Sequence, residues 1–262
     1  MPDDFLNSIK CFLLDLDGTL TLENQLLPGA LELLSTFRRK GLVFCLLTNN
    51  SSKSKKTYLE KLSHAGLDIS PDELITSGEV TGHYLSNHYA GAKLFILGTP
   101  DLVHELEEFG FESNKENPDV LVLGFDTTLN YEKLTRFCNF LREGKPFLAT
   151  HSDINCPTAN GFIPDIGSMM AMILASTGRR PDEILGKPFL PLVNILSERT
   201  GFPPEQMCMI GDRLYTDIAM AEHGVHTILV LTGETKRTDL PGASQRPEKV
   251  IEDLWEIIEL IR

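Results

Sequence analysis

Basic charge is scarce in this chain. Its 262 residues carry 24 Lys and Arg against 37 Asp and Glu, for a net charge of −13 and a pI near 5.0. No basic stripe is present to neutralise phosphates, which excludes a nucleic-acid partner. An anionic substrate would need the field reversed locally, by a cation and a well-placed Lys or Arg. A disulfide framework is missing as well. The five cysteines, Cys11, Cys45, Cys138, Cys156 and Cys208, are scattered, odd in number and without a C-x-x-C pair. Three of them (Cys11, Cys45, Cys208) lie in apolar strand-like runs, where free Cys behaves as a small hydrophobe, as suits a reducing compartment. Long apolar runs are absent: the longest, over 166–175, is too short to span a bilayer. Met1-Pro2-Asp3-Asp4 is acidic and no signal-like apolar region follows. The expectation is a soluble, cytoplasmic protein with no membrane partner. No internal repeat, coiled coil or low-complexity tract is present.

What the chain does have is a hydrophobic content of 42%, enough for a proper core. Its organising stretch is KCFLLDLDGTL, residues 10–20. Cys11, Phe12, Leu13 and Leu14 run straight into Asp15 and Asp17, followed by Gly18 and Thr19. A short apolar run bounded by turn residues predicts a strand buried on both faces of a parallel sheet. Ligands bind outside the carboxyl ends of such strands, where the two acids fall. Two carboxylates this close cannot both be hidden in a core without a partner. Gly18 fits a tight turn, and Thr19 reads as a turn or capping hydroxyl.

The remaining chain alternates strands and helices. Pro28-Gly29 opens a helix to Lys40, with Leu31, Leu34 and Phe37 at helical spacing and Gly41 as the stop. A strand over 42–47 runs into the polar cluster Thr48-Asn49-Asn50-Ser51-Ser52, which should cap a helix over 53–65. A short strand follows over 74–77. In the middle, strands are predicted over 93–97, 120–123 and 147–150, and helices over 102–109, 131–143 and 169–176. The last part returns to the first pattern. It has a helix over 189–200, a strand over 207–210, Gly211-Asp212-Arg213, a helix to His223, a strand over 227–231, a polar loop over 232–247 and a terminal helix over 253–261. This order implies an α/β fold: a Rossmann-like, doubly wound parallel sheet with an inserted smaller α/β domain. The expected boundaries are 1–79 with 181–262 for the core and 80–180 for the insert.

Polar residues collect at the strand ends. They are Asp15 and Asp17, then Thr48 and Asn49, then Lys187 in Gly186-Lys187-Pro188, then Asp212 and Asp217 in G-D-R-L-Y-T-D. Taken singly, Thr48 reads as a helix cap, Lys187 as a solvated lysine, Asp212 as an N-cap and Asp217 as a structural acid within the helix. Their joint occurrence at successive strand ends favours a site. If the strand after residue 200 lies beside the first, Asp15, Asp17 and Asp212 share a switch-point crevice. Three carboxylates there would repel unless a cation sat among them, and hard oxygen ligands suit Mg²⁺.

The motifs DLDGT, LLTNN, GKP and GDRLYTD resemble the four motifs of the haloacid dehalogenase-like superfamily. The length, and an insert between the second and third motifs, resemble its subfamily IIA, the NagD-like and 4-nitrophenylphosphatase-like phosphatases with a C2-type cap. The resemblance covers essentially the whole chain. It implies a Mg²⁺-dependent phosphatase of small phosphorylated metabolites, with Asp15 as nucleophile and Asp17 as general acid and base. Asp15, the Asp17 carbonyl and Asp212 would hold the metal, supported by Asp217. The Thr48 hydroxyl and the Asn49 N–H would hold phosphoryl oxygens, and Lys187 would neutralise charge. It also implies a homodimer through the caps. The cap loop facing the substrate would fall around 161–168, with Asp165 a candidate for contact with the leaving group. Many relatives read A-T-N-x-D where this chain has Ala149-Thr150-His151-Ser152-Asp153, so His151 marks a departure near the crevice. Two other classes compete on the same scaffold. A phosphoryl-accepting switch needs only about half this length and no second acid at Asp17. A non-catalytic binding protein would not retain every catalytic residue type.

Overall fold

The computed structural model describes residues 4–22, 25–158 and 160–261. The chain divides into two compact units. One comprises Met1–Thr48, Leu59–Ile75 and Leu192–Arg262; the other comprises Asn49–Tyr58 and Thr76–Pro191.

The first unit is built on a six-stranded sheet. Its order is Lys249–Ile251, His226–Val230, Met207–Gly211, Cys11–Asp15, Val43–Thr48 and Leu74–Thr76. The strand Cys11–Asp15 is buried along its whole length and pairs in parallel on both sides. Leu14 lies opposite Ile210 on one side and Leu46 on the other. The chain therefore reverses its winding at this strand, and the carboxyl ends bearing Asp15 and Asp212 are neighbours. The helix Ala30–Lys40 starts after Gly29 and stops at Gly41, both left-handed. Its inward face is Ala30, Leu33, Leu34 and Phe37, and Phe37 stacks on Phe12 with centroids 4.7 Å apart. Leu31, expected on that face, is 52% exposed instead.

The second unit holds a five-stranded parallel sheet ordered Glu183–Ile184, Phe147–Ala149, Val120–Leu123, Lys93–Leu97 and Glu112–Ser113. Phe137, Ile166, Met169 and Ile173 cluster with Phe147 and the other buried residues of this sheet. A hairpin, Asn155–Thr158 with Gly161–Pro164, precedes the helix Ile166–Thr177. That helix begins three residues earlier than the apolar pattern suggests, because Asp165 caps it. The helix Ser77–His88 gives little apolar signal, since only Val80 and Leu85 are buried apolar residues with side chains. Its buried residues include Ser77, Gly78, Glu79, Thr81 and Gly82, so the 3.6-residue pattern is lost.

The segment after Thr48 does not cap its own helix in the expected way. The helix starts at Lys55, and its first-turn groups are met by acids from the helix Pro100–Glu108. Asp101 accepts from Ser54 N (3.3 Å) and Thr57 Oγ1 (2.9 Å), and Glu105 accepts from Lys55 N (3.1 Å). Thr99 Oγ1 donates to Ser52 O at 2.9 Å. These bonds explain why residues 49–58 belong to the second unit. The expected helix after Asp212 is a turn followed by a 3-10 segment, Ile218–His223, so Asp217 precedes it rather than lying inside. Among the described residues, no helix is long and apolar enough to cross a membrane.

Candidate active site

In the first unit, ligand atoms of Asp15, Asp212 and Asp217 all lie within 4.8 Å of one another, and all three residues are buried. Asp15 ends the first strand. Asp212 follows Met207–Gly211, the parallel neighbour, so the sheet register alone brings the two together. Asp212 Oδ2 accepts the Glu234 N–H at 2.6 Å. Its Oδ1 is buried with no hydrogen-bond partner among the described residues. Burial first, then the charges of Asp15 and Asp217, hold the Asp212 carboxyl well above the usual range; Arg213 and the Glu234 N–H oppose this more weakly. Asp217 Oδ2 accepts the Arg213 N–H at 3.0 Å, which ties the turn after Asp212 to its second acid.

Glycines hem in Asp212. At Gly18, where φ is +101°, a Cβ would fall 2.5 Å from Asp212 Oδ2. At Gly233 a Cβ would overlap the same carboxylate outright. Thr232 Oγ1 donates to Gly18 O at 2.6 Å, closing the loop beside Asp212 onto the D-L-D-G-T turn. Thr19 does not serve as the expected cap: its hydroxyl is buried and has no hydrogen-bond partner among the described residues.

Asp17 stands apart from the three. Its Oδ1 accepts from Thr21 Oγ1 at 3.2 Å and lies 3.8 Å from Lys61 Nζ. A third of its side chain is open to solvent, yet burial is the main force raising its carboxyl above the usual range. Lys61 opposes, Asp15 adds to the rise, and Thr21 and Arg213 oppose more weakly. Thr48 is buried at the end of Val43–Thr48, the strand on the other side of Cys11–Asp15.

In the second unit, Asn49 and Lys187 meet. Asn49 Nδ2 donates to Lys187 O at 3.1 Å, and Lys187 N donates to Asn49 Oδ1 at 2.9 Å. Asn49 Nδ2 also donates to Asp153 Oδ1 at 2.9 Å. His151 and Asp165 find each other: Nε2 and Oδ1 are 3.1 Å apart, and both residues are buried. Asp165 Oδ1 further accepts the Ile166 N–H, and the other ring nitrogen of His151 meets Thr150 Oγ1 at 3.0 Å. The departure at His151 is thus a buried imidazole–carboxylate pair, which an asparagine would span differently.

Three contributors carry little signal in the sequence. Lys61 lies in the last turn of the helix Lys55–His64, where a basic residue is ordinary. Gly233 lies in a polar loop. Asp153 stands in Ala149-Thr150-His151-Ser152-Asp153, where an acid a few residues after a strand end is the usable signal.

Two family models match the chain. Residues 12–112 match a model described as haloacid dehalogenase-like hydrolase, and residues 184–257 match one described as HAD-hydrolase-like. The chain is 30% identical to the 5'-nucleotidase YutF of Bacillus subtilis, over 98% of this chain and 100% of that one. It is 32% identical to an acid sugar phosphatase of Staphylococcus aureus, over 97% and 98% of the two chains. The crystal structure of 4-nitrophenylphosphatase from Thermotoga maritima superposes with a TM-score of 0.96 at 46% identity, covering 98% of this chain and 99% of the other. With matches running from end to end, the chain belongs to the haloacid dehalogenase-like superfamily, in its NagD-like and 4-nitrophenylphosphatase-like subfamily IIA, and is a phosphoric monoester hydrolase.

Proposed function

We propose that the enzyme hydrolyses small phosphomonoesters in a Mg²⁺-dependent reaction that passes through an aspartyl-phosphate on Asp15. The observation that carries this reading is the buried cluster of Asp15, Asp212 and Asp217. Three carboxylates packed together repel, and Asp212 Oδ1 has no hydrogen-bond partner among the described residues. An all-oxygen donor set of this kind fits a hard divalent cation, and phosphatases of this superfamily use a divalent metal. Asp15, the Asp17 carbonyl and Asp212 would hold the ion, and Asp217 would steady them through the Arg213 N–H. When bound, the ion polarises a phosphoryl oxygen and offsets negative charge.

The Asp15 carboxylate attacks phosphorus, and the bond from phosphorus to the leaving oxygen breaks. Asp17 donates its proton to that oxygen. The raised carboxyl of Asp17 suits a group that must hold a proton until then. In the second half, Asp17 takes a proton from the attacking water, phosphate leaves, and Asp15 returns as carboxylate. Following the resemblance, the Thr48 hydroxyl and the Asn49 N–H receive phosphoryl oxygens, and Lys187 offsets charge as it develops. The 80–180 insert is assigned as the cap that selects the leaving group. His151 and Asp165, being buried and paired, act there by shaping the loop. The relatives' names point to sugar phosphates and nucleoside monophosphates as substrates, with 4-nitrophenyl phosphate as a convenient assay ester.

The test is phosphate release from a panel of phosphomonoesters, with and without Mg²⁺, for the wild type and Asp15→Asn. Metal-dependent release that vanishes in the variant, with the fold kept, is expected. Full activity in Asp15→Asn would remove the nucleophile assignment.

A further inference from the structure

We infer that the Asn49 carboxamide is a positioning device for Lys187, locked in orientation by the buried carboxylate of Asp153. The inference rests on the proposed role of Lys187 and assigns the group that sets its backbone in place.

The geometry is a double hydrogen bond. Asn49 Nδ2 donates to Lys187 O, and Lys187 N donates to Asn49 Oδ1. One rigid, planar amide therefore meets both backbone polar groups of a single residue, as a neighbouring strand would. A single bond would leave the segment free to pivot; two fix it in translation and in rotation. The second Nδ2 proton goes to Asp153 Oδ1 at 2.9 Å. That third bond decides which way the amide faces. A flipped amide would set its oxygen against two acceptors, Asp153 Oδ1 and Lys187 O, and its NH₂ against the Lys187 N–H. Asn49, Asp153 and Lys187 are 6%, 3% and 2% exposed, so no water competes with this arrangement at low cost.

The neighbours are arranged for the same contact. Gly186 has ordinary backbone angles, yet a Cβ there would fall 2.6 Å from Asn49 Oδ1 and 2.7 Å from Thr150 O. The glycine in Gly186-Lys187-Pro188 is therefore needed for close approach to Asn49. The Asn49 backbone is itself fixed, with Ser77 Oγ donating to Asn49 O at 2.5 Å. Two residues on, Ser51 Oγ lies 2.8 Å from Thr150 Oγ1. Residues 49–51, 150–153 and 186–187 are thus joined at three points. A lysine has a long, flexible stem, so the position of its backbone sets where its ammonium can be held. A misplacement of about 1 Å at a catalytic group can cost about 10²-fold in rate.

The test is a double-mutant cycle between Asn49→Ala and Lys187→Met, read as kcat and KM separately, with hydrogen exchange at the Lys187 amide alongside. Asn49→Ala is expected to lower kcat by about 10²-fold with little change in KM, and to speed exchange at that amide. In the Lys187→Met background it should cost almost nothing further, because the group it positions is gone. Gly186→Ala, which forces the segment off Asn49 and leaves both partners intact, serves if Asn49→Ala does not fold, and should give the same pattern. Losses that multiply in the double variant, or a wild-type kcat in a folded Asn49→Ala, would overturn the inference while leaving the role of Lys187 standing. A wild-type kcat in Lys187→Met would remove that role and this inference with it. In either case Asp15→Asn tests the nucleophile independently.

Discussion

The carboxylate of Glu105 accepts the backbone N–H of Lys55 at 3.1 Å from inside the second unit. The same oxygen takes Thr76 Oγ1 at 3.2 Å, while Oε2 is buried without a hydrogen-bond partner among the described residues and lies against Gly78. Burial pushes its pKa from 4.5 up to about 7; the Lys55 N–H and Thr76 oppose this, Glu79 adds to it, and the Lys55 charge opposes it weakly. Between pH 4.5 and 7 the folded protein therefore holds a proton that the unfolded chain has lost. Stability contributed by this group is full below about 4.5 and falls as pH rises through 7, by on the order of 3 kcal/mol. Glu105→Gln keeps an acceptor for Lys55 and cannot titrate. Urea unfolding across this range should show a flatter pH profile in the variant; parallel profiles would place the titration elsewhere.

Gly233→Ala should damage the acidic centre without unfolding the sheet. The added methyl overlaps the Asp212 carboxylate, and packing of this kind costs about 1–3 kcal/mol unless the neighbour moves. Asp212 is the group that would move, so Mg²⁺ affinity measured by calorimetry should drop at least about tenfold. Unchanged Mg²⁺ binding would separate Asp212 from the metal.

Asp212→Asn should act in opposite senses with and without metal. Asp15 and Asp217 both raise the Asp212 carboxyl, which marks repulsion within the cluster. At a pH where the carboxyl is ionised, removing its charge should stabilise the metal-free protein by about 1 kcal/mol, or roughly 2–4 °C in Tm. The rise in Tm on adding Mg²⁺ should shrink in the variant. Thermal unfolding in chelator and in Mg²⁺ measures both, and a larger Mg²⁺ response would contradict the assignment.

Asp165→Ala removes two bonds together. The residue caps the helix Ile166–Thr177 through the Ile166 N–H and pairs with buried His151. Loss of the cap costs about 1 kcal/mol, and an unpaired buried imidazole adds about 1–3 kcal/mol. Asp165→Asn keeps the cap acceptor and should recover most of this. If urea unfolding finds both variants close to wild type, the pair contributes nothing to the fold.

The fold was legible because its signals are local. The strand Cys11–Asp15 shows itself as apolar residues in a row, and Gly41 and Gly178 stop their helices by adopting left-handed angles. The pairing of Asp15 with Asp212 followed from the alternation of strands and helices, since that order permits few sheet topologies. Local signals also misled. Leu31 kept helical spacing yet faces outward, and Asp217 sits before its 3-10 turn rather than inside a helix.

By itself, the sequence determined the parallel α/β class and set the strand ends of Asp15 and Asp212 side by side, because burial pattern and turn chemistry act within a few residues; the third carboxylate of the cluster is Asp217 and not the expected Asp17. Only the tertiary structure decided which polar groups satisfy one another. Asn49 meets Asp153 across 104 residues and Lys187 across 138. Gly233 makes room for Asp212, Lys61 leans on Asp17, and His151 finds Asp165. A buried polar group must find a partner wherever the chain brings one, and no pattern along the chain encodes that choice.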